Sequence, residues 1–298
     1  MHLKRQLNIP LDGLVLEIGG GVSPHPQSDI LVDYFVDEAG FRHRGGQPLV
    51  IGNRVLIQAD GALLPFRDHQ FNYVVLSHVI EHIAEDKIVE FTNELQRVGL
   101  SGYIETPSIL YEAIRDVPEH IWYVVCADEV LHLCKKTVSS LWKPFLDPLF
   151  DDGDFCSVVE KHADLFFTGL EWTSKFKVEI HEDFSDLYSI YPEGWASGVV
   201  SIDIKQEQVI KYQNRNKEFI KSLIPPLVWD KGRSCWHSAR NALKMSKRKR
   251  VIDWKDLVVC PVCYSELVID LRSNRINCRN CHRVYLIRDD GIPSFILS

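Results

Sequence analysis

Three groups of residues in this 298-residue chain have types and spacings suited to chemistry. Cys260 and Cys263 in CPVC, with Cys278 and Cys281 in CRNC, form two C-x-x-C knuckles a hairpin's length apart. Such knuckles offer four thiolates to one tetrahedral ion, and a closed Cys₄ shell marks structural rather than catalytic zinc. A unit this small buries little apolar surface alone, so the metal supplies much of its folding free energy. His282 follows Cys281 directly and is read as a neighbour, not a ligand.

The second group surrounds a glycine turn. Glu17 lies inside the apolar run VLEI, and Gly19, Gly20 and Gly21 follow it. Glycines let the backbone turn sharply and approach a ligand closely. Helix-end amides and a nearby acid would suit a cofactor with a cationic sulfonium and an amino-acid tail. The dinucleotide fingerprint G-x-G-x-x-G fails, because Pro24 stands where its last glycine would be. Asp33 ends the run ILVD, where a carboxylate can accept both ribose hydroxyls, and Asp60 with Gly61 ends RVLIQAD. Taken singly, each aspartate could equally be a turn or cap residue. The third group is histidine-centred: Ser77, His78, Glu81 and His82 after the run FNYVVL, and His120 in PEHIWYV. If the turn after Ser77 is helical, Glu81 and His82 share a face with His78. Histidine has the pKa of a general base, so His78, His120 and His82 are the catalytic candidates. A metal on His78, Glu81 and His82 lacks a further group at defined spacing. Trp122 and Tyr123 either cover an organic acceptor or fill a core.

These residues need elements to position them. The first hundred residues alternate strand-like apolar runs with helix-like segments, such as EDKIVEFTNELQRV. Runs of this kind suit strands covered on both faces and paired in parallel through right-handed crossovers. The expected architecture is α/β, a doubly wound and mostly parallel sheet with ligands at the strands' carboxyl ends, followed by a small β-rich zinc ribbon. TSKFKVEIHED and SGVVSIDIK read as late strands. The expected division is 1–205 for the α/β domain, 206–250 for a helical and basic linker, and 251–298 for the ribbon.

VLEIGGG, VDYF, ADGALLPFRDHQFNYVVLSHVIEHI and RVGLSGYIETPS resemble the successive motifs of class I S-adenosylmethionine methyltransferases, over roughly residues 12–125. The resemblance implies a seven-stranded Rossmann-like sheet and S-adenosyl-L-methionine as methyl donor. It implies that Glu17, Gly19, Gly20 and Gly21 frame the methionine moiety, Asp33 the ribose, Asp60 and Gly61 the adenine, with Ser77 and His78 beside the sulfonium. The third glycine common in the family's loop is Ser23 here, and VGLSG replaces the usual L-K-P-G-G. No [DN]-P-P-[YF] follows strand four, which disfavours the amide and adenine N-methyltransferases that use it. The segment 257–297 resembles the small zinc-ribbon protein that activates methyltransferases of the translation apparatus, which implies a ribbon packed on the domain in cis.

The formal net charge of −7 argues against a nucleic-acid binder, which usually carries a basic stripe. One basic stretch departs from this: Arg233, Arg240, Lys244, Lys247, Arg248, Lys249 and Arg250. It reads as a solvated linker, or alternatively as a phosphate contact. No apolar run is long enough for a membrane span, and the start reads as a first strand rather than a signal peptide, so a cytoplasmic location is expected. Cys126, Cys134, Cys156 and Cys235 show no paired spacing and read as reduced thiols. The expectation is methyl transfer to an O or N of a small-molecule acceptor. The alternatives are a methyltransferase of tRNA or a translation protein, and a non-catalytic binding protein.

Overall fold

The computed structural model of the chain describes residues 7–37, 46–137, 143–190, 246–248 and 250–297. SGVVSIDIK, Cys235 and the basic residues Arg233, Arg240, Lys244 and Lys249 lie outside them. The first strands are β1 (Val15–Ile18), β2 (Ile30–Asp33), β3 (Val55–Gln58), β4 (Tyr73–Ser77) and β5 (Gly102–Pro107). They pair in parallel in the order β3-β2-β1-β4-β5. Leu16 registers with Ile30 on one side and Val74 on the other, so the order reverses at β1. That reversal opens a crevice at the carboxyl ends of β1 and β4.

The period of two along each strand divides the sheet's side chains between two cores. Leu16, Ile18, Val74, Leu76 and Ile104 join one cluster with the helix α1 (Ile88–Val98). Ile88, Phe91, Leu95 and Val98 recur at helical spacing and are buried, while Val89 faces water. Val15, Tyr73, Val75 and Tyr103 point the other way and pack with Ile9. The expected helix after the glycine turn is absent among the described residues. β1 reaches β2 through eleven residues of loop that include Pro24 and Pro26, neither of which suits a helix interior. The amides there belong to a loop.

After β5 come α2 (Ile109–Arg115), β6 (Trp122–Ala127) and β7 (Val130–Lys135). β6 and β7 form a hairpin turned by Asp128 and Glu129, both at positive φ, as a two-residue hairpin turn demands. The helix α3 (Gly153–Lys161) leads to β8 (Phe167–Trp172), which closes the main sheet antiparallel to β5. β9 (Lys177–His181), from the expected late strand TSKFKVEIHED, pairs with β7 in a separate three-stranded sheet. Trp122 and Val124 face the main core from that sheet, so Trp122 is core rather than an acceptor cover.

The ribbon extends the main sheet. β10 (Leu267–Asp270), β11 (Arg275–Cys278) and β12 (Val284–Ile287) form an antiparallel meander. β13 (Pro293–Ser294) joins β12 to β3, with Ser294 opposite Gln58 and the Phe295 amide donating to the Gln58 carbonyl at 2.8 Å. Phe295, Val258, Cys260 and Tyr285 share one core with β1, β4 and α1. The Val259 amide donates to the Pro65 carbonyl at 3.0 Å, and the Arg97 guanidinium lies 4.5 Å over the Tyr264 ring.

Within the basic stretch Lys247 is exposed, whereas Arg248 and Arg250 are turned onto the chain's own backbone. Arg248, 7% exposed, pairs through Nε with Asp29 at 3.0 Å and donates from its Nη atoms to the carbonyls of Pro10, Leu11 and Gly13. Arg250 donates to the Gly13 and Leu11 carbonyls. Two arginines thus clasp the loop before β1 through their Nη donors. Among the described residues no helix is long and apolar enough to cross a membrane.

Candidate active site

The crevice at the switch point holds a cavity of about 450 Å³ lined by Gly19, Gly21, Asp33, Asp60, Gly61, His78 and His82, together with Tyr34, Phe35, Lys87 and Phe91. Gly19 and Gly21 have φ of 68° and 51°, conformations glycine adopts without steric cost. A Cβ on Gly19 would lie 2.4 Å from Val79, and one on Gly61 2.3 Å from the Phe91 ring. The cradle therefore needs its glycines. Asp33 sits where β2 ends and accepts the Phe35 amide through Oδ1 at 2.9 Å. Asp60 accepts the Ala62 amide through Oδ1 at 2.9 Å and pairs through Oδ2 with Lys87 at 2.6 Å.

Glu17, Gly20, Ser77 and His120 are not among the residues that line this cavity. Glu17 is buried and accepts the His25 amide at 2.8 Å and the Ser28 hydroxyl at 2.5 Å. Its carboxylate packs beneath Gly20, whose Cβ would lie 3.1 Å from it. It therefore braces the loop from behind. Burial raises its pKa, opposed by the hydrogen bonds from Ser28 and His25. Ser77 donates to Glu105 Oε1 at 3.3 Å, under the His78 ring.

His78 stands on two buried carboxylates. Its Nδ1 is 3.3 Å from Glu81 Oε1 and its Nε2 3.6 Å from Glu105 Oε1. Burial opposes its charge, but the hydrogen-bonding carboxylates of Glu105 and Glu81 outweigh that and lift its pKa to about 9. At neutral pH it holds a proton, which removes it as a ready base. The turn Ile80–His82 is a single 3₁₀ turn, followed at once by extended Ile83. Glu81 Oε2 accepts from Thr106 Oγ1 at 3.2 Å.

His120 lies close to His82 although 38 residues later, ring centroids 4.5 Å apart and edge to face. The Ile121 amide donates to the Glu81 carbonyl at 2.8 Å, and Trp122 Nε1 to the Ile83 carbonyl at 2.7 Å. His120 Nδ1 is 2.5 Å from Glu112 Oε1, while Lys136 Nζ reaches Glu112 Oε2 at 2.8 Å and Asp116 at 3.0 Å. Motif reading found the glycines, acids and histidines. It gave no role to Tyr34 and Phe35, which close the motif VDYF, nor to Lys87 and Phe91, the latter an apolar position of α1.

In the ribbon, one Sγ from each of Cys260, Cys263, Cys278 and Cys281 lies within 4.8 Å of the others, and His282 is outside the cluster. Cys278 Sγ accepts the Asn280 and Cys281 amides at 3.4 Å each. Four convergent sulfurs with amides directed at one of them fit a tetrahedral zinc on thiolates.

Residues 33–102 match the family model of a methyltransferase domain, and residues 256–290 that of a Trm112p-like protein. No curated protein matches. Among solved structures the chain is similar to the PH0226 protein from Pyrococcus horikoshii OT3 (18% identity, 38% of this chain and 61% of that one, TM-score 0.27). It is also similar to the YcgJ protein from Bacillus subtilis (19% identity, 38% and 56%, TM-score 0.27). A third is a SAM dependent methyltransferase from Archaeoglobus fulgidus (19% identity, 45% and 58%, TM-score 0.28). The chain spans 56–61% of the length of these three. At such TM-scores the assignment rests on the two family matches and on the sheet order. By these, the chain carries a methyltransferase-type domain, with a Trm112p-like ribbon fused behind it.

Proposed function

We propose that this methyltransferase, with its ribbon in the same chain, moves the methyl group to an oxygen or nitrogen of a small organic acceptor. Gly19 and Gly21 would admit the donor's methionine end, Asp33 its ribose, and Asp60 with Gly61 its adenine. When bound, S-adenosylmethionine supplies an electrophilic methyl group on a sulfonium, open to in-line attack. The chain's own residues contribute alignment. His78 and His82 border the far side of the cavity, and Glu81 and Glu105 beneath His78 are 1% and 0% exposed. Two buried carboxylates set against one imidazole favour a cationic centre nearby.

The observation that carries the small-acceptor reading is the placement of Arg248 and Arg250, the two described arginines of the basic stretch. Arg248 and Arg250 direct their donors to backbone carbonyls and Asp29, on a chain of net charge −7. A polynucleotide acceptor needs cations free for phosphates. Calorimetric titration with S-adenosylmethionine, then labelled-methyl transfer onto a panel of small alcohols and amines, tests this. Transfer to tRNA or ribosomal proteins but to no small acceptor would overturn it. That second reading, a methyltransferase of tRNA or a translation protein, is favoured by the Trm112p-like match at 256–290. It predicts tRNA retention that weakens steeply with salt.

A further inference from the structure

Beside the cofactor cavity the fold assembles what the sequence alone left incomplete. One ligand atom each from Glu81, His82 and His120 lie within 4.8 Å of one another. We propose that these three residues bind a divalent first-row transition ion, and that the acceptor is a hydroxyl compound that this ion coordinates. The second half rests on the small-acceptor reading above; the first half does not.

Bonds of about 2.1 Å to nitrogen and oxygen place ligand atoms about 3 to 4 Å apart, a span the three groups can close with small rotations. Two histidines and a carboxylate suit borderline ions such as zinc, their carboxylate also accepts the harder Mn²⁺, and three ligands leave coordination positions open.

The surroundings of both imidazoles set their tautomers. His82 Nδ1 is 3.1 Å from the Glu119 carbonyl, which can only accept, so that nitrogen carries the proton and the lone pair is on Nε2. His120 Nδ1 faces the Glu112 carboxylate at 2.5 Å, with the same result. Glu112 is held in turn by Lys136, itself paired with Asp116. A carboxylate behind a histidine, fixing its ring and raising its basicity, is how metal-ligating histidines are commonly supported. The third group, Glu81, is 1% exposed, and a carboxylate so buried is costly without positive charge close by. It has lone pairs enough for the Thr106 hydroxyl, His78 and an ion together.

The backbone makes the site rigid. The Ile121 amide to the Glu81 carbonyl and the Trp122 indole to the Ile83 carbonyl stitch the segment before β6 to the turn after β4. The three groups are therefore placed by paired backbone, which a metal site requires. His82 also lines the cofactor cavity, so the ion lies at the acceptor's side of it. A hydroxyl coordinated there becomes more acidic and is held against the sulfonium. The methyl–sulfur bond breaks as the methyl–oxygen bond forms, which leaves the thioether and an ether and releases the hydroxyl proton to water.

The test uses the full chain with its ribbon zinc in place. Mn²⁺ is titrated by electron paramagnetic resonance, and zinc per chain is counted after equilibration with Zn²⁺ and desalting. Soft thiolates do not favour Mn²⁺, so its binding reports on the histidine–carboxylate set. The expected result is one Mn²⁺, or a second zinc, per wild-type chain. Binding should weaken at least tenfold in His120→Ala and Glu81→Gln, and 10–100-fold in Glu112→Gln, which removes only the support behind His120. Wild-type chain that binds no ion beyond the ribbon zinc overturns the proposal without recourse to any variant, and so does equal affinity in well-folded variants. S-adenosylmethionine titrated into the same samples separates the two readings. Donor binding without the second ion sinks the metal site alone. The ion without donor binding sinks the placement of the cofactor instead.

Discussion

His78 takes the left-handed backbone conformation, φ 58°, at the point where β4 enters its turn. A non-glycine residue there is uncommon and costs on the order of 1 kcal/mol. It persists because the ring is seated on Glu81 and Glu105 and faces Phe167 edge-on at 5.3 Å. Asp33 is partly exposed at the cavity wall, so its replacement should remove ligand contacts and leave the core intact. Asp33→Ala is expected to weaken S-adenosylmethionine binding at least tenfold with an unchanged melting temperature, read by calorimetry and thermal unfolding. Unchanged affinity would show the cofactor to lie elsewhere. In Gly61→Ala the new methyl meets the Phe91 ring, and overpacking of this kind costs about 1–3 kcal/mol. Denaturant titration should show that loss. His25 gives a pH dependence. Burial, with the charges of Arg54 and Lys247, lowers its pKa from 6.5 to about 4. The unfolded chain therefore takes up a proton that the folded one refuses between those values. Stability is complete above pH 6.5 and falls as pH drops toward 4, by at most about 3 kcal/mol. In His25→Gln the difference in unfolding free energy between pH 7 and pH 5 should shrink. An unchanged difference would exclude His25 as its source.

At the scale of elements, α1 covers one face of the sheet and sets Phe91 in the cavity wall. Its apolar stripe fits the core that Leu16, Val74 and Leu76 present. Leu95 is fully buried, and Leu95→Ala should cost 2–5 kcal/mol, as core truncations of this type do. A loss below about 1 kcal/mol in denaturant titration would mean that the helix packs loosely. The stripe, the strands and the cysteine knuckles were legible because period and spacing are local properties. The partner of β9 was not legible, since an apolar strand carries no label for the sheet it joins. The loop after the glycine turn departs from the alternation of strand and helix because Pro24 and Pro26 suit no helix interior.

Across the whole molecule the ribbon and the methyltransferase domain share one hydrophobic core and one sheet. Arg97 locks the join, pairing with Glu94 and Asp68, donating to the Phe66 and Leu64 carbonyls, and covering Tyr264 of the ribbon. Removal of the ribbon metal should therefore destabilise more than the ribbon. Chelation is expected to lower the melting temperature of the methyltransferase domain itself, followed by its near-ultraviolet signal. A domain transition unmoved after complete zinc removal would mean that the ribbon only rests on the sheet.

The sequence by itself determined the glycine cradle, the acids at the strand ends, the Cys₄ knuckles and the alternation that forces a parallel sheet. Each depends on residues a few positions apart, or on a period. Tertiary structure alone decided which groups meet across long separations. It brought His120 against His82 and Glu81, turned Arg248 and Arg250 onto residues 10–13, and joined Ser294 to the edge of β3. It also set Glu17 behind the loop rather than in the cavity, because its carboxylate meets Ser28 and the His25 amide there. Such encounters follow from chain crossings that bury apolar surface, and no spacing along the chain encodes them.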